Sequence, residues 1–305
     1  MQESLSLLDA YAQAIGGKAP GTIDVYQRIL RDLTIWLADR PGNRTGFQPE
    51  QLTQTVLAMY LEQLKADGYS RSHRARVKAV VSGFARWLIE EKGLLRRNPA
   101  RGLTLPHAQT LAPRELSSDQ RFVLHSLIER DDTRRGTAIF ALGYWAGCRV
   151  SDVAWLEHNH VQVTTKAGSI TVGHKAGKQR TIDLHNEARR PLYDYIHHDG
   201  GDCDSPYVFT SQRSQRLTEA GIHHWFRGLK ALATKDEWEL IANVSFHDLR
   251  HDFAHRARAA GWSLEELAYY LGHVTASGAP AIQTTIRYTQ VSRVQIKPKL
   301  RVLQG

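Results

Sequence analysis

HDLRHDFAH, residues 247–255, carries histidines at 247, 251 and 255, one every fourth position. On a helix that spacing lines them along one face. The stretch supports two readings. HDFAH imitates the zinc-protease pattern H-E-x-x-H, with Asp252 where the glutamate base would stand. HDLR sets His247 three residues before Arg250, pairing a proton carrier with a permanent forked cation that suits phosphate. The metal reading is the weaker one. Aspartate is one methylene short of the metal-bound water, and the only candidate for a third ligand is His247. Cys148 and Cys203 form no C-x-x-C pair, so neither a zinc ribbon nor a disulfide framework is expected. No metal and no other cofactor is expected.

Composition narrows the partners. Across 305 residues, 42% are hydrophobic and 23% charged, enough apolar material for two cores, which excludes a disordered chain. The formal net charge of +9 favours a polyanionic partner, either nucleic acid or an anionic membrane surface, over a neutral one. No stretch approaches the roughly 18 consecutive apolar residues of a membrane span. The first residues, MQESLSLLDAYAQAIGG, lack the basic leader of a secretory signal. The expected location is the cytoplasm.

Helical periodicity dominates the first hundred residues. Residues 20–39 place Ile23, Tyr26, Leu30, Leu33 and Leu37 on one face, with Thr22 as a candidate cap. PGNRTG (41–46) is turn material. A second run, 49–66, has Leu52, Val56, Met59, Tyr60 and Leu64 as its expected core face, and a third spans 70–92. Its apolar face is matched by a basic stripe of Arg71, Arg74 and Lys78, which either lies along phosphates or is a solvated surface. Asn98–Pro113 is proline-rich and aperiodic, as a linker is. The expected domains are therefore 1–97, a linker over 98–113, and 114–305. Beyond the linker, helices are expected at 118–130, 136–146, 186–198, 218–233, 247–260 and 263–271. HVQVTTKAGSITVGHKAGKQRTIDL (160–184) alternates apolar and polar residues between glycines, as a small antiparallel sheet does. The adjacent histidine pairs at 197–198 and 223–224 read as surface, and Tyr269 and Tyr270, in an apolar run, as core.

Five short patterns fall in order in this second part: AGCRVSDVAWL (146–156), VGHKAGKQRTIDL (172–184), HDLRH (247–251), LGH (271–273) and TTIRYTQV (284–291). Together they resemble the tyrosine recombinases, the phage-integrase family. The resemblance covers most of 115–295 and reaches the helices and NPA segment of the first part. It implies a fold that is mainly α with a small antiparallel β-sheet: a helical core-binding domain followed by an α+β catalytic domain. Residue by residue it makes Tyr288 the nucleophile and has Arg149 and Arg250 clamp the scissile phosphate. Lys175 would be the general acid, with Lys178 and Arg180 as nearby alternatives that are also candidates for DNA contact. His247 and His273 would assist, and Asp152 would buttress Arg149.

What the resemblance implies is site-specific cleavage and rejoining of DNA strands through a covalent 3′-phosphotyrosine, without ATP or metal. A type IB topoisomerase, built on the same residue logic, is the alternative. The implied partners are double-stranded DNA carrying specific sites and three further copies of the chain, a homo-tetramer on two sites, with no membrane. The segment after Tyr288, SRVQIKPKLRVLQG, is expected to dock on a neighbouring protomer. Two departures stand out. Asp152 replaces the family's usual glutamate. The fifteen positions from His273 to Tyr288 exceed the usual spacing, the surplus lying around ASGAPA (276–281), which is expected to let the Tyr288 segment move.

Overall fold

A computed structural model of the chain describes residues 2–40, 47–106, 115–173, 179–199, 205–212, 214–275, 279 and 281–286. Internal contacts divide it into two units, Met1–Gln109 and Thr110–Gly305. The first is helical: α1 (Gln2–Ala14), α2 (Pro20–Ala38), α3 (Gln54–Ala66) and α4 (Arg71–Glu90). Periodicity did not mark α1. Helix α2 starts on Pro20, whose fixed φ suits a first turn, with Ala19 at the cap and no side-chain bond there; Thr22, the expected cap, lies inside the helix. A 3-10 turn at Pro49–Gln51 precedes α3, which is capped by Thr53. Leu57 and Leu61 face the core from α3, while Met59 is 52% exposed, so the expected face was rotated by part of a turn. The core is filled by Leu30, Leu33, Leu57, Val81, Phe84 and Leu88. Residues 98–105 pack onto this unit: Asn98 Nδ2 donates to both the carbonyl and the hydroxyl of Ser82, and Ala100 is buried.

The second unit carries α5 (Ser118–Asp131), α6 (Arg134–Tyr144) and α7 (Val150–Ala154). These lead into strands β1 (Val161–Val163), β2 (Gly168–Val172) and β3 (Arg180–Asp183). The strands pair antiparallel in the order β1-β2-β3, with Ile170 opposite both Val161 and Ile182. Then follow α8 (Asn186–Asp194), α9 (Glu219–Lys230), α10 (Lys235–Ile241), α11 (Phe246–Ala259), α12 (Leu264–Leu271) and α13 (Ile282–Thr285). Serines and threonines cap most of these helices: Ser117, Thr133, Thr218, Thr234 and Ser263 each accept a first-turn N–H. Helix α6 is apolar around most of its circumference and runs through the core, as its composition requires. No described helix is long and apolar enough to cross a membrane. The fold is thus mainly α with a small antiparallel sheet.

Candidate active site

Arg250 is the largest fully buried side chain among the described residues, at 1% exposure. Its burial follows from its neighbours. Nη1 donates to the Gly147 carbonyl at 2.6 Å, and Nη2 to the Leu271 carbonyl at 2.7 Å. Both acceptors sit at turns that need a glycine. Gly147 (φ +60°) follows α6, and Gly272 (φ +67°) ends α12 in the left-handed conformation. A Cβ on Gly147 would stand 2.6 Å from the Phe253 ring. The guanidinium therefore plugs helix-end carbonyls, where the partial negative charge of the α12 terminus favours a cation. Nη2 also lies 3.2 Å from His273 Nε2, and His273 Nδ1 lies 3.0 Å from the Thr285 hydroxyl. Burial first, then the charges of Arg250, Arg149 and Arg180, push the His273 pKa down to about 3, so the ring is neutral.

Arg149 caps α7. Its backbone N–H donates to Asp152 Oδ2 at 3.0 Å, while its guanidinium stays 3.9 Å from that oxygen and one-third exposed. Asp152 therefore braces the turn that presents Arg149. The same oxygen accepts from Arg180 Nη2 at 3.1 Å, and Arg180 Nε donates to the Tyr270 carbonyl at 2.8 Å. Arg180 thus locks β3 to both α7 and the end of α12. That position gives Arg180 a structural role in joining these elements. His247 lies on an open face of α11. Desolvation by the groups around it, then the charge of Arg250, lowers its pKa. Arg149 acts on both His247 and His273, so the four side chains share one electrostatic neighbourhood.

The zinc-like half of HDLRHDFAH has another function. Asp252 is fully buried and accepts from the Leu116 N–H at 3.1 Å, from Arg121 Nη2 at 2.8 Å and from Arg256 Nε at 2.8 Å. It is an anchor that holds the entry to α5 and the register of α11. His247 and His251 meet edge to face at 4.3 Å, and burial with His247 beside it takes the His251 pKa down to about 4. Among the described residues no group of three or more metal-ligating side chains is gathered. Tyr270 stacks on Phe253 and donates to the Asp183 carbonyl, but Tyr269 is 67% exposed, against the expectation that both lie in the core. The histidine pairs 197–198 and 223–224 are on the surface as expected.

Lys175, Lys178 and Tyr288, with the tail beyond it, lie outside the described residues. Lys175 and Lys178 belong to the connection between β2 and β3, and Tyr288 follows three residues after the buried Thr285. Of the surplus between His273 and Tyr288, positions 276–278 and 280 also lie outside. Its ends are fastened, however: Thr275 N–H donates to the Ala279 carbonyl at 2.8 Å and Ala281 N–H to the His273 carbonyl at 2.6 Å. In the first unit, Arg74 is 8% exposed, and Arg71 and Lys78 donate to the carbonyls of Pro106 and Leu103. With Arg86 and Arg101 these two residues line a groove of about 570 Å³.

A buried arginine, a second arginine at a helix start and two histidines thus lie in one electrostatic neighbourhood, side chains of the type that can hold a phosphate. Comparison with known proteins agrees. The model of the phage integrase family matches residues 117–294, and that of the phage integrase N-terminal SAM-like domain matches residues 8–92. The chain belongs to the phage integrase family, the tyrosine recombinases. Tyrosine recombinase XerC of Pelobacter propionicus is 28% identical over 278 residues, 90% of this chain and 86% of that protein. Tyrosine recombinase XerD of Pseudomonas aeruginosa is 26% identical over 300 residues, 95% of this chain and 94% of that protein. The Tn1549 transposon integrase, solved in complex with transposon right end DNA, shares the fold with a TM-score of 0.74 at 18% identity. That match covers 99% of each chain.

Proposed function

We propose that this chain is a site-specific DNA recombinase that breaks and rejoins strands through a 3′-phosphotyrosyl bond at Tyr288. The observation that carries the reading is the convergence of Arg149, His247, Arg250 and His273 in one field, on a chain whose relatives are recombinases. A phosphodiester resists attack because its anionic oxygens repel nucleophiles. Two arginines offset that charge and stabilise what grows in the transition state. A phenol with a reference pKa near 10 needs help to lose its proton. His247, neutral and open to solvent, suits the base. Lys175 suits the acid that protonates the departing 5′-oxygen. The ester keeps the energy of the broken bond, so resealing draws on neither ATP nor a metal. Four copies acting on two DNA sites would complete an exchange, and the protein would reside on the nucleoid.

The test is a covalent trap. Wild-type protein is incubated with a library of nicked duplexes, denatured, and assayed for protein-linked DNA. Wild type should yield an adduct that Tyr288→Phe abolishes. No adduct, or an adduct that survives the substitution, would refute the assignment. Relaxation of a plasmid without any recombination site would instead favour topoisomerase chemistry, for which the match of an integrase-type N-terminal domain gives no support.

A further inference from the structure

His273 is bonded through both ring nitrogens, and the two partners differ in what they can do. An arginine only donates, so Nε2, 3.2 Å from Arg250 Nη2, is an acceptor and carries no proton. A neutral imidazole has one N–H, which must then be on Nδ1 and point to the Thr285 hydroxyl 3.0 Å away. The threonine hydroxyl in turn donates to the Ala281 carbonyl at 3.4 Å. Thr285 has no exposed surface and closes α13, three residues before Tyr288. Other charged or titratable groups facing the ring are Arg149 at the start of α7, Arg180 from β3, and His247 with Arg250 from α11.

We propose that Thr285 is a positioning residue: its hydroxyl fixes His273 as the Nδ1–H tautomer and ties that ring to the segment leading to Tyr288. The consequence is mechanical and chemical together. The histidine and the last turn of α13 are held by one bond, and Nε2 is kept as an acceptor toward Arg250 until substrate arrives. A phosphate oxygen at Nε2 would need a proton there, so engagement of DNA requires the ring to exchange tautomers: Nε2 leaves Arg250 and takes a proton from water, Nδ1 returns one to water, and the Thr285 hydroxyl turns from acceptor to donor. The role of His273 in that step rests on the function proposed above. The tautomer itself does not.

The tautomer is read by nitrogen NMR of the full chain with ¹⁵N-labelled histidine, the His273 signals being identified by their loss in His273→Gln. Wild type should show Nδ1 protonated and Nε2 bare. Thr285→Val, close in size but without a hydroxyl, should lose that pattern, and Thr285→Ser should keep it. In the covalent trap, Thr285→Val should form adduct about tenfold more slowly, the effect of one lost orienting hydrogen bond, with an altered pH profile. Thr285→Ser should restore both. Wild type with its proton on Nε2 would overturn the proposal without any variant, as would a Thr285→Val protein whose tautomer and pH profile match wild type. Absence of any Tyr288-dependent adduct in wild type would instead refute the recombinase reading, leaving the tautomer result standing.

Discussion

Gly272→Ala should damage this protein far beyond the usual effect of adding one methyl. The backbone there has φ +67°, where a side chain costs roughly 1–2 kcal/mol. The new Cβ would stand 2.8 Å from Arg180 Cδ and Nη1 and 3.0 Å from its Cζ. Arg180 cannot simply swing aside. It is held by Asp152 at 3.1 Å and by the Tyr270 carbonyl at 2.8 Å, and breaking one such charged bond costs roughly 1.5–3 kcal/mol. The sum is about 4 kcal/mol. For a unit of this size that lowers Tm by roughly 8–16 °C in calorimetry. The same substitution in an Arg180→Ala background has nothing to strike, so it should cost only the backbone share, about 1–2 kcal/mol. A double-mutant cycle thus isolates about 2 kcal/mol of coupling. Equal penalties in the two backgrounds would refute the argument.

Asp252→Ala should destabilise the second unit by about 3 kcal/mol, the low end for a broken buried pair, because Arg121 and Arg256 are each about a quarter exposed and regain water; urea unfolding showing under ~1 kcal/mol would count against an anchoring role. Stability should also fall with acid. The folded pKa of His273, about 3, lies below its ordinary value, so the unfolded chain takes up the proton first as pH drops from ~6.5 toward 3. That amounts to roughly 2 kcal/mol by pH 5. His273→Gln should flatten the slope in part, since His251 remains; an unchanged slope would contradict a buried neutral ring.

Much of this molecule was legible because its signals are local. The helical stripe of α4 and the glycine-punctuated hairpin act over a few residues, whereas the cap read at Thr22 failed because Pro20 already starts α2. The order of motifs likewise pointed to Arg149 and Arg250 before any geometry was known. What escaped is long-range. The bonds that join Asp252 to Arg121, Arg180 to Tyr270 and Arg250 to Gly147 span 131, 90 and 103 positions. No spacing rule reaches that far. Asp252 looked like a failed zinc base because its partners were out of sight. The joining role of Arg180 was hidden for the same reason. Thr285 was only part of a motif around a tyrosine until its hydroxyl met His273. The α3 face was misjudged because Met59 and Leu57 are equally apolar, and only packing separates them.

The bond from the Ala281 N–H to the His273 carbonyl bears on how this chain can be handled. It rejoins the polypeptide to itself before α13 begins, so the number of amino acids between those two points is decoupled from where the helix starts. Length there is a free variable. The same place offers a site to graft an epitope or a fluorophore-accepting peptide a few residues ahead of α13.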